Sequence, residues 1–146
     1  MAAQWTDYLR HLRELTKTLG QLTGVEKEKL DAVGRGDLLA VEACMKREQV
    51  LSLALRGADQ KREVLLRELG LEGVPLRDIQ KHSPREYDLE TKAVAEELRS
   101  QYELFQAVSQ AARSALECNL RAIEKFQKSQ GRPPQEGAPH QTDFRA

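Results

Sequence analysis

Apolar residues recur in alternating steps of three and four over most of this chain, and no other feature constrains its fold as strongly. In the first segment this series is formed by Trp5, Tyr8, Leu12, Leu15, Leu19 and Leu22. Such spacing places the side chains on one face of an α-helix, whereas a half-buried strand needs strict alternation, which is absent here. The pattern therefore predicts long amphipathic helices that pack against one another.

A second helical segment follows a break at Gly34-Arg35-Gly36. Asp37 is suited to begin it, because its carboxylate can accept hydrogen bonds from the free N–H groups of a helix start. Gly70 stands at a good C-cap position at its end. Its inner side is predicted to consist of Val41, Cys44, Glu48, Leu51, Leu55, Ala58, Arg62, Leu65 and Leu69, widened by Leu38, Met45 and Leu66. The polar members of this series are expected to fix the register or to stay partly solvated.

A third segment runs from Pro84 to Ser129 without glycine or proline. Ser83 is predicted to cap it, with Pro84 as its first residue and Glu86 completing a capping box. Between the second and third segments, Pro75 favours one short helical turn. After Gln130 the chain becomes rich in proline and glycine and has little to bury, so we expect it to be disordered.

The sequence thus predicts an all-α fold, an antiparallel bundle of three long helices over about residues 4–33, 37–69 and 84–129. A short helical turn is expected near residues 75–80. Residues 1–130 form one helical bundle domain in this interpretation, and residues 131–146 form a disordered C-terminal tail. At 1.5 Å per residue the three helices span roughly 40, 50 and 65–70 Å, so part of the third apolar stripe lacks a cover within the chain. An uncovered stripe indicates a binding site, a dimer interface or an aggregation hazard.

Composition disfavours several classes of function. The 23 basic and 23 acidic residues balance, which leaves no excess positive charge for nucleic acid. No apolar run is long enough to span a membrane, and no secretory signal is evident, so a cytoplasmic location is expected. His11, His82 and His140 are scattered, and no nucleophile, phosphate loop or metal-ligand spacing is found. We therefore expect no enzyme activity, cofactor or metal, and we expect Cys44 and Cys118 to be reduced thiols in the core.

The order of these features resembles the FlgN-type flagellar export chaperones of bacteria. The run Glu26-Lys27-Glu28-Lys29-Leu30 looks like the stretch before the first turn of that family, and Gly36-Asp37-Leu38 is similar to its opening of the second helix. A similar Leu-rich pattern continues through Lys46, Leu51, Arg62, Leu65, Leu66, Leu69 and Gly70. Cys118-Asn119-Leu120 with Ile123 resembles a late family motif, although Leu120 stands where the family has glycine.

The resemblance implies a cytoplasmic chaperone without nucleotide or other cofactor. Its expected partners are the hook-associated proteins of the hook–filament junction, FlgK and FlgL, whose C-terminal segments it keeps monomeric, and the type III export apparatus that receives them. Whether the chain forms a homo-oligomer when no client is bound is a question that the resemblance leaves open. The alternative is a helical coiled-coil scaffold or homodimeric tether without chaperone activity.

The client-binding surface is expected on the apolar stripe of the last helix. The candidate residues are Ala112, Leu116, Asn119, Leu120, Ile123 and Phe126. A disordered amphipathic client segment can fold as a helix against such a stripe. The sequence leaves a second interpretation equally open, in which these residues only complete the three-helix core.

Overall fold

Every regular element in the computed structural model, which describes residues 2–129, is helical, and this confirms the all-α prediction. Helix α1 spans Ala2–Arg35, α2 spans Leu38–Glu68 and α3 spans Asp88–Ser129. Two 3₁₀ segments, Leu76–His82 and Arg85–Tyr87, connect α2 to α3. The tail predicted for residues 131–146 lies outside the described residues.

Helix α1 is the centre of the bundle. It packs against both α2 and α3, whereas no described Cα atom of α2 lies within 8 Å of one in α3. Lys29 near the end of α1 contacts Glu48 in the first half of α2, so these two helices are antiparallel. Trp5 bonds to Thr91 and Val33 to Asn119, so α3 runs parallel to α1 and antiparallel to α2. The predicted up-down-up arrangement is confirmed.

The core is built mainly from α1. All six residues of its predicted series are at most 4% exposed, and Leu9 and Val25 are buried as well. Roughly half of the circumference of α1 is therefore buried, because it must face two partners rather than one. On α2, Leu66 is buried as predicted. The prediction that Leu38 belongs to the inner side is wrong, because this first residue of α2 lies beyond the end of α1 and is largely exposed.

Both ends of α2 follow the turn chemistry expected from the sequence. The N–H groups of Gly36 and Asp37 donate to the carbonyls of Val33 and Ala32, which closes α1 with glycine at a φ of 68°. Asp37 then accepts from the N–H of Ala40, which confirms its capping role. A second turn of this kind ends α2, with a φ of 73° at Gly70. These backbone conformations strain any residue with a side chain, so glycine is required at both turns.

The predicted start of the third helix is wrong by one turn. Pro84 has an extended backbone, and the α-helix begins only at Asp88 after a 3₁₀ turn. The Ser83 hydroxyl does not accept from the helix start; it donates to the carbonyl of Gln80 at 2.7 Å. The capping box with Glu86 therefore does not form, because Pro84 is extended and Ser83 stands well before Asp88, the first residue of the α-helix. The short helical turn predicted near residues 75–80 is found within the 3₁₀ segment Leu76–His82.

A buried hydrogen bond between Trp5 and Thr91 offers a test of how α3 is aligned on α1. The indole Nε1 donates to the Thr91 hydroxyl at 3.0 Å, and both side chains are buried. We expect Thr91→Val to lower the free energy of unfolding by about 1–3 kcal/mol, because it leaves the indole N–H without its acceptor in an apolar surrounding. Urea denaturation followed by the fluorescence of this single tryptophan measures the loss.

Thr91→Ser is the matched control, since it retains the hydroxyl, and it should retain most of the stability. Equal losses in the two variants would show that the threonine methyl group, rather than the hydrogen bond, carries the interaction.

Candidate functional site

The end of α3 extends beyond the rest of the bundle. The Asn119 side-chain amide donates to the carbonyl of Val33 at 3.0 Å, two residues before α1 ends. Helix α3 continues to Ser129. We call residues 120–129 the overhang. At 1.5 Å per residue it is about 15 Å long, and the described part of the chain provides no helix beside it.

The apolar residues of the overhang continue the face that α3 turns toward α1. Ile123 follows the buried Ala112 by 11 residues, which is about three helical turns. Phe126 follows Asn119 by seven residues, or about two turns. Both side chains therefore point to the side that α1 occupies lower in the bundle, where α1 has ended. Within the described residues, this face of the overhang has no helix opposite it.

The structure separates the six candidate residues into a packed pair, an exposed trio and Asn119, whose side chain bonds to the carbonyl of Val33. The predicted set is Ala112, Leu116, Asn119, Leu120, Ile123 and Phe126. Ala112 is fully buried, and Leu116 packs against the small core cluster of Ala32, Val33 and Val41 at the α1–α2 turn. By contrast, Leu120, Ile123 and Phe126 are 42%, 49% and 62% exposed. In this conformation the core interpretation therefore describes the first two residues, and the last three form an open apolar face.

Two exposed leucines at the same end of the bundle were not among the candidates. Leu38 and Leu39 open α2, and their neighbours Ala40 and Val41 belong to the cluster that also holds Leu116. The signal in the sequence is the adjacent Leu-Leu pair, because neighbouring helical positions are about 100° apart and a narrow contact stripe covers one of them more readily than both. These leucines add apolar surface next to the base of the overhang.

Charged residues flank this apolar face. A shallow surface depression is lined by Glu117, Leu120, Arg121 and Glu124. Its leucine is bordered by two carboxylates and one guanidinium, so a partner helix would meet an apolar strip with a polar rim. A solvated rim of this kind contributes to specificity more than to affinity.

A second group of polar residues lies inside the α1–α2 interface. Lys29 Nζ is 2.6 Å from Glu48 Oε1 and 3.5 Å from Glu26 Oε2, and both carboxyl groups are buried. Burial raises the pKa of Glu26 to about 8, and the nearby Glu48 carboxyl adds to this effect, while Lys29 opposes it. One ammonium group thus serves two carboxyl groups, of which Glu26 stays protonated at neutral pH.

This cluster has no access to a substrate. A catalytic acid with a raised pKa normally lines a cleft, whereas Glu26 and Glu48 are enclosed between two packed helices. The expectation that Glu48 fixes register is consistent with its contact to Lys29. The cluster also surrounds no trio of His, Cys, Asp or Glu residues that could hold a metal ion, and none occurs elsewhere in residues 2–129.

Cys44 is buried as predicted, but Cys118 is exposed, which corrects the expectation of two core thiols. Cys118 lies on the outer side of α3, next to the residue that bonds to Val33. None of the helices within residues 2–129 combines the length and the apolar character needed to cross a membrane.

Comparison with known proteins adds one finding. The family model described as FlgN protein matches residues 1–132, which is nearly the whole chain and includes the three helices and the overhang. No curated protein and no solved structure matches the chain significantly.

The buried Glu26 carboxyl predicts how stability depends on pH. The folded chain holds a proton on Glu26 with a pKa of about 8, whereas an unfolded glutamate releases its proton near its ordinary pKa of 4.5. The folded state therefore binds more protons between these values, so the free energy of unfolding should fall as pH rises from about 5 to about 8. Glu26→Gln should remove this decrease and should be about 1–3 kcal/mol more stable than the wild type above pH 8.

Urea titrations at several pH values measure how the free energy of unfolding depends on pH in the wild type and in Glu26→Gln. Glu28→Gln is the matched control, because this exposed carboxylate on the same helix turn pairs with Arg47 at the surface. A pH slope that disappears equally in both variants would contradict the assignment to Glu26.

Proposed function

The chain belongs to the FlgN family, and we propose that it acts as a cytoplasmic flagellar export chaperone for hook–filament junction proteins of the FlgK and FlgL type. In this proposal it binds their C-terminal helical segments, keeps them monomeric and delivers them to the type III export apparatus. Family membership supports the general role in flagellar export. The clients and the delivery step are the parts that we add.

The observation that carries the binding site is the open apolar face of the overhang. Leu120, Ile123 and Phe126 occupy successive turns at the end of α3, and each is at least two-fifths exposed. Apolar residues spaced in this way are those that a partner helix engages when it packs along another helix. A client helix laid along them would take the position that α1 holds lower in the bundle.

The proposed contact fits a client that must be released. The overhang is only about three turns long, so its apolar surface is small. A client segment that folds on binding also loses conformational entropy, and ordering costs of this kind are about 2–5 kcal/mol. Both effects favour moderate affinity, which allows transfer at the export apparatus.

The alternative is a scaffold or homodimeric tether. The observation that favours it is a further exposed apolar stripe on α2, which the described residues 2–129 leave uncovered. A tether that lacks chaperone activity would not bind a junction-protein segment at the overhang, and this difference separates the two functions.

The test is the double variant Leu120→Glu with Ile123→Glu. We expect it to weaken binding of a C-terminal peptide from a FlgK-type protein of the same bacterium at least about tenfold, because two carboxylates would have to be buried under the client helix. Isothermal titration calorimetry measures the affinity, and circular dichroism measures the helicity that the peptide gains.

The matched control is Leu89→Glu with Leu104→Glu, which adds the same charge at two exposed leucines of α3 outside the overhang. Thermal melting of both variants should match that of the wild type. Unchanged binding by the overhang variant would show that the overhang is not the client site, and loss of its fold would favour the core interpretation of these residues.

A further inference from the structure

Helix α2 carries a second apolar stripe on the side that faces away from α1. Its apolar residues Leu39, Val50, Leu53 and Val64 are 80%, 68%, 67% and 47% exposed. With the residues between them they form a series in alternating steps of four and three, in which every member is exposed. This outer stripe consists of Leu39, Ala43, Lys46, Val50, Leu53, Gly57, Gln60 and Val64.

The outer stripe is separate from the inner side of the same helix. Val41, Cys44 and Leu66 are buried on that inner side. A surface helix needs only one apolar stripe to join its own bundle, and its opposite face is normally polar. The spacing of the outer stripe is that of a helix pair. Contacts among residues 2–129 therefore do not explain it.

We propose that the outer stripe is a self-association surface, where α2 of a second copy of this chain packs antiparallel to α2. The four large apolar residues of the stripe occupy the same positions when the stripe is read in the opposite direction. When Val50 faces Leu53 of the second copy, Leu39 faces Val64, and the two-fold axis repeats both layers. The two layers between them pair Lys46 with Gly57, and Ala43 with Gln60. A two-fold interface uses the same patch on both subunits, so this self-match is the property it requires.

The antiparallel direction follows from Lys46 and Gly57. A parallel pair would place Lys46 beside Lys46 of the other copy, and two like charges in one layer repel each other. It would also place Gly57 beside Gly57 and leave a gap. In the antiparallel pair the long lysine stem crosses the glycine instead. A Cβ atom added at Gly57 meets nothing within 4 Å, so this position is open to receive it.

The size of the stripe indicates a weak dimer. Full burial of an aliphatic side chain removes on the order of 60–120 Å² of apolar surface, and the stripe offers four such residues per chain. The total for two chains stays at or below the lower limit of about 1,200 Å² for stable interfaces. We therefore expect a dissociation constant in the range of about 10–100 µM, with monomers prevailing in dilute solution.

The centre of the outer stripe is separate from the proposed client site. Val50 and Leu53 belong to α2, whereas the overhang belongs to α3, and no described Cα atom of α2 lies within 8 Å of one in α3. Leu39, at the end of the stripe, is the member that lies next to the base of the overhang. The two surfaces can therefore be tested by separate substitutions.

The first experiment is sedimentation equilibrium of the purified full chain from about 1 to about 500 µM, a range that brackets the expected dissociation constant. The wild type should shift from monomer to dimer. Val50→Glu with Leu53→Glu should remain monomeric with unchanged helicity, because it places four carboxylates at the centre of the pair. The Leu120→Glu, Ile123→Glu variant should dimerise like the wild type, which separates this proposal from the client site.

A matched pair of substitutions at Gly57 tests the direction. Gly57→Glu should tighten the dimer about tenfold, since it places a carboxylate opposite Lys46 of the second copy in two symmetric layers, and Gly57→Lys should weaken it by a similar factor. In a parallel pair the substituted residues would meet each other, so both variants would weaken the dimer. A wild type that stays monomeric at about 500 µM, or a dimer that the Val50→Glu, Leu53→Glu variant leaves intact, would overturn the proposal.

Discussion

The structure depends on the burial of α1 against two helices at once. A helix that packs on one side needs a single apolar stripe, but α1 also buries Leu9 and Val25 beside its main series. Because no described Cα atom of α2 lies within 8 Å of one in α3, most of the contact of these two helices with the bundle is made through α1. The outer surface of α2 and the end of α3 consequently have no partner within the described residues 2–129, and the two proposed interaction surfaces lie there.

Polar contacts determine how the other helices are aligned on α1. Apolar stripes slide with little change in energy, whereas a buried hydrogen bond or ion pair is satisfied in one register only. The Trp5–Thr91 bond and the Asn119 bond to the carbonyl of Val33 hold α3 near its two ends along α1. Lys29 holds α2 through Glu48. The position of the overhang follows from this alignment, because Asn119 contacts the last turns of α1 and leaves the rest of α3 beyond them.

The same alignment explains why part of the apolar face of α3 remains exposed. Helix α3 has 42 residues and α1 has 34, so a parallel arrangement with matched starts leaves the excess at one end. A longer α1, or a displaced α3, would have covered Ile123 and Phe126. The exposed face is therefore a consequence of helix length together with register. The family to which the chain belongs binds other proteins.

The sequence by itself determined the three helices, the glycine turns at Gly36 and Gly70, and the class of surface to look for, because helical periodicity and turn geometry are local properties. It did not determine the start of α3, because the extended backbone at Pro84 and the 3₁₀ turn after it place the first α-helical residue at Asp88. It also could not separate Ala112 and Leu116 from Leu120, Ile123 and Phe126, since all five share one spacing pattern. Only the tertiary structure decided between them, because burial depends on where a neighbouring helix ends, and α1 ends beside Asn119.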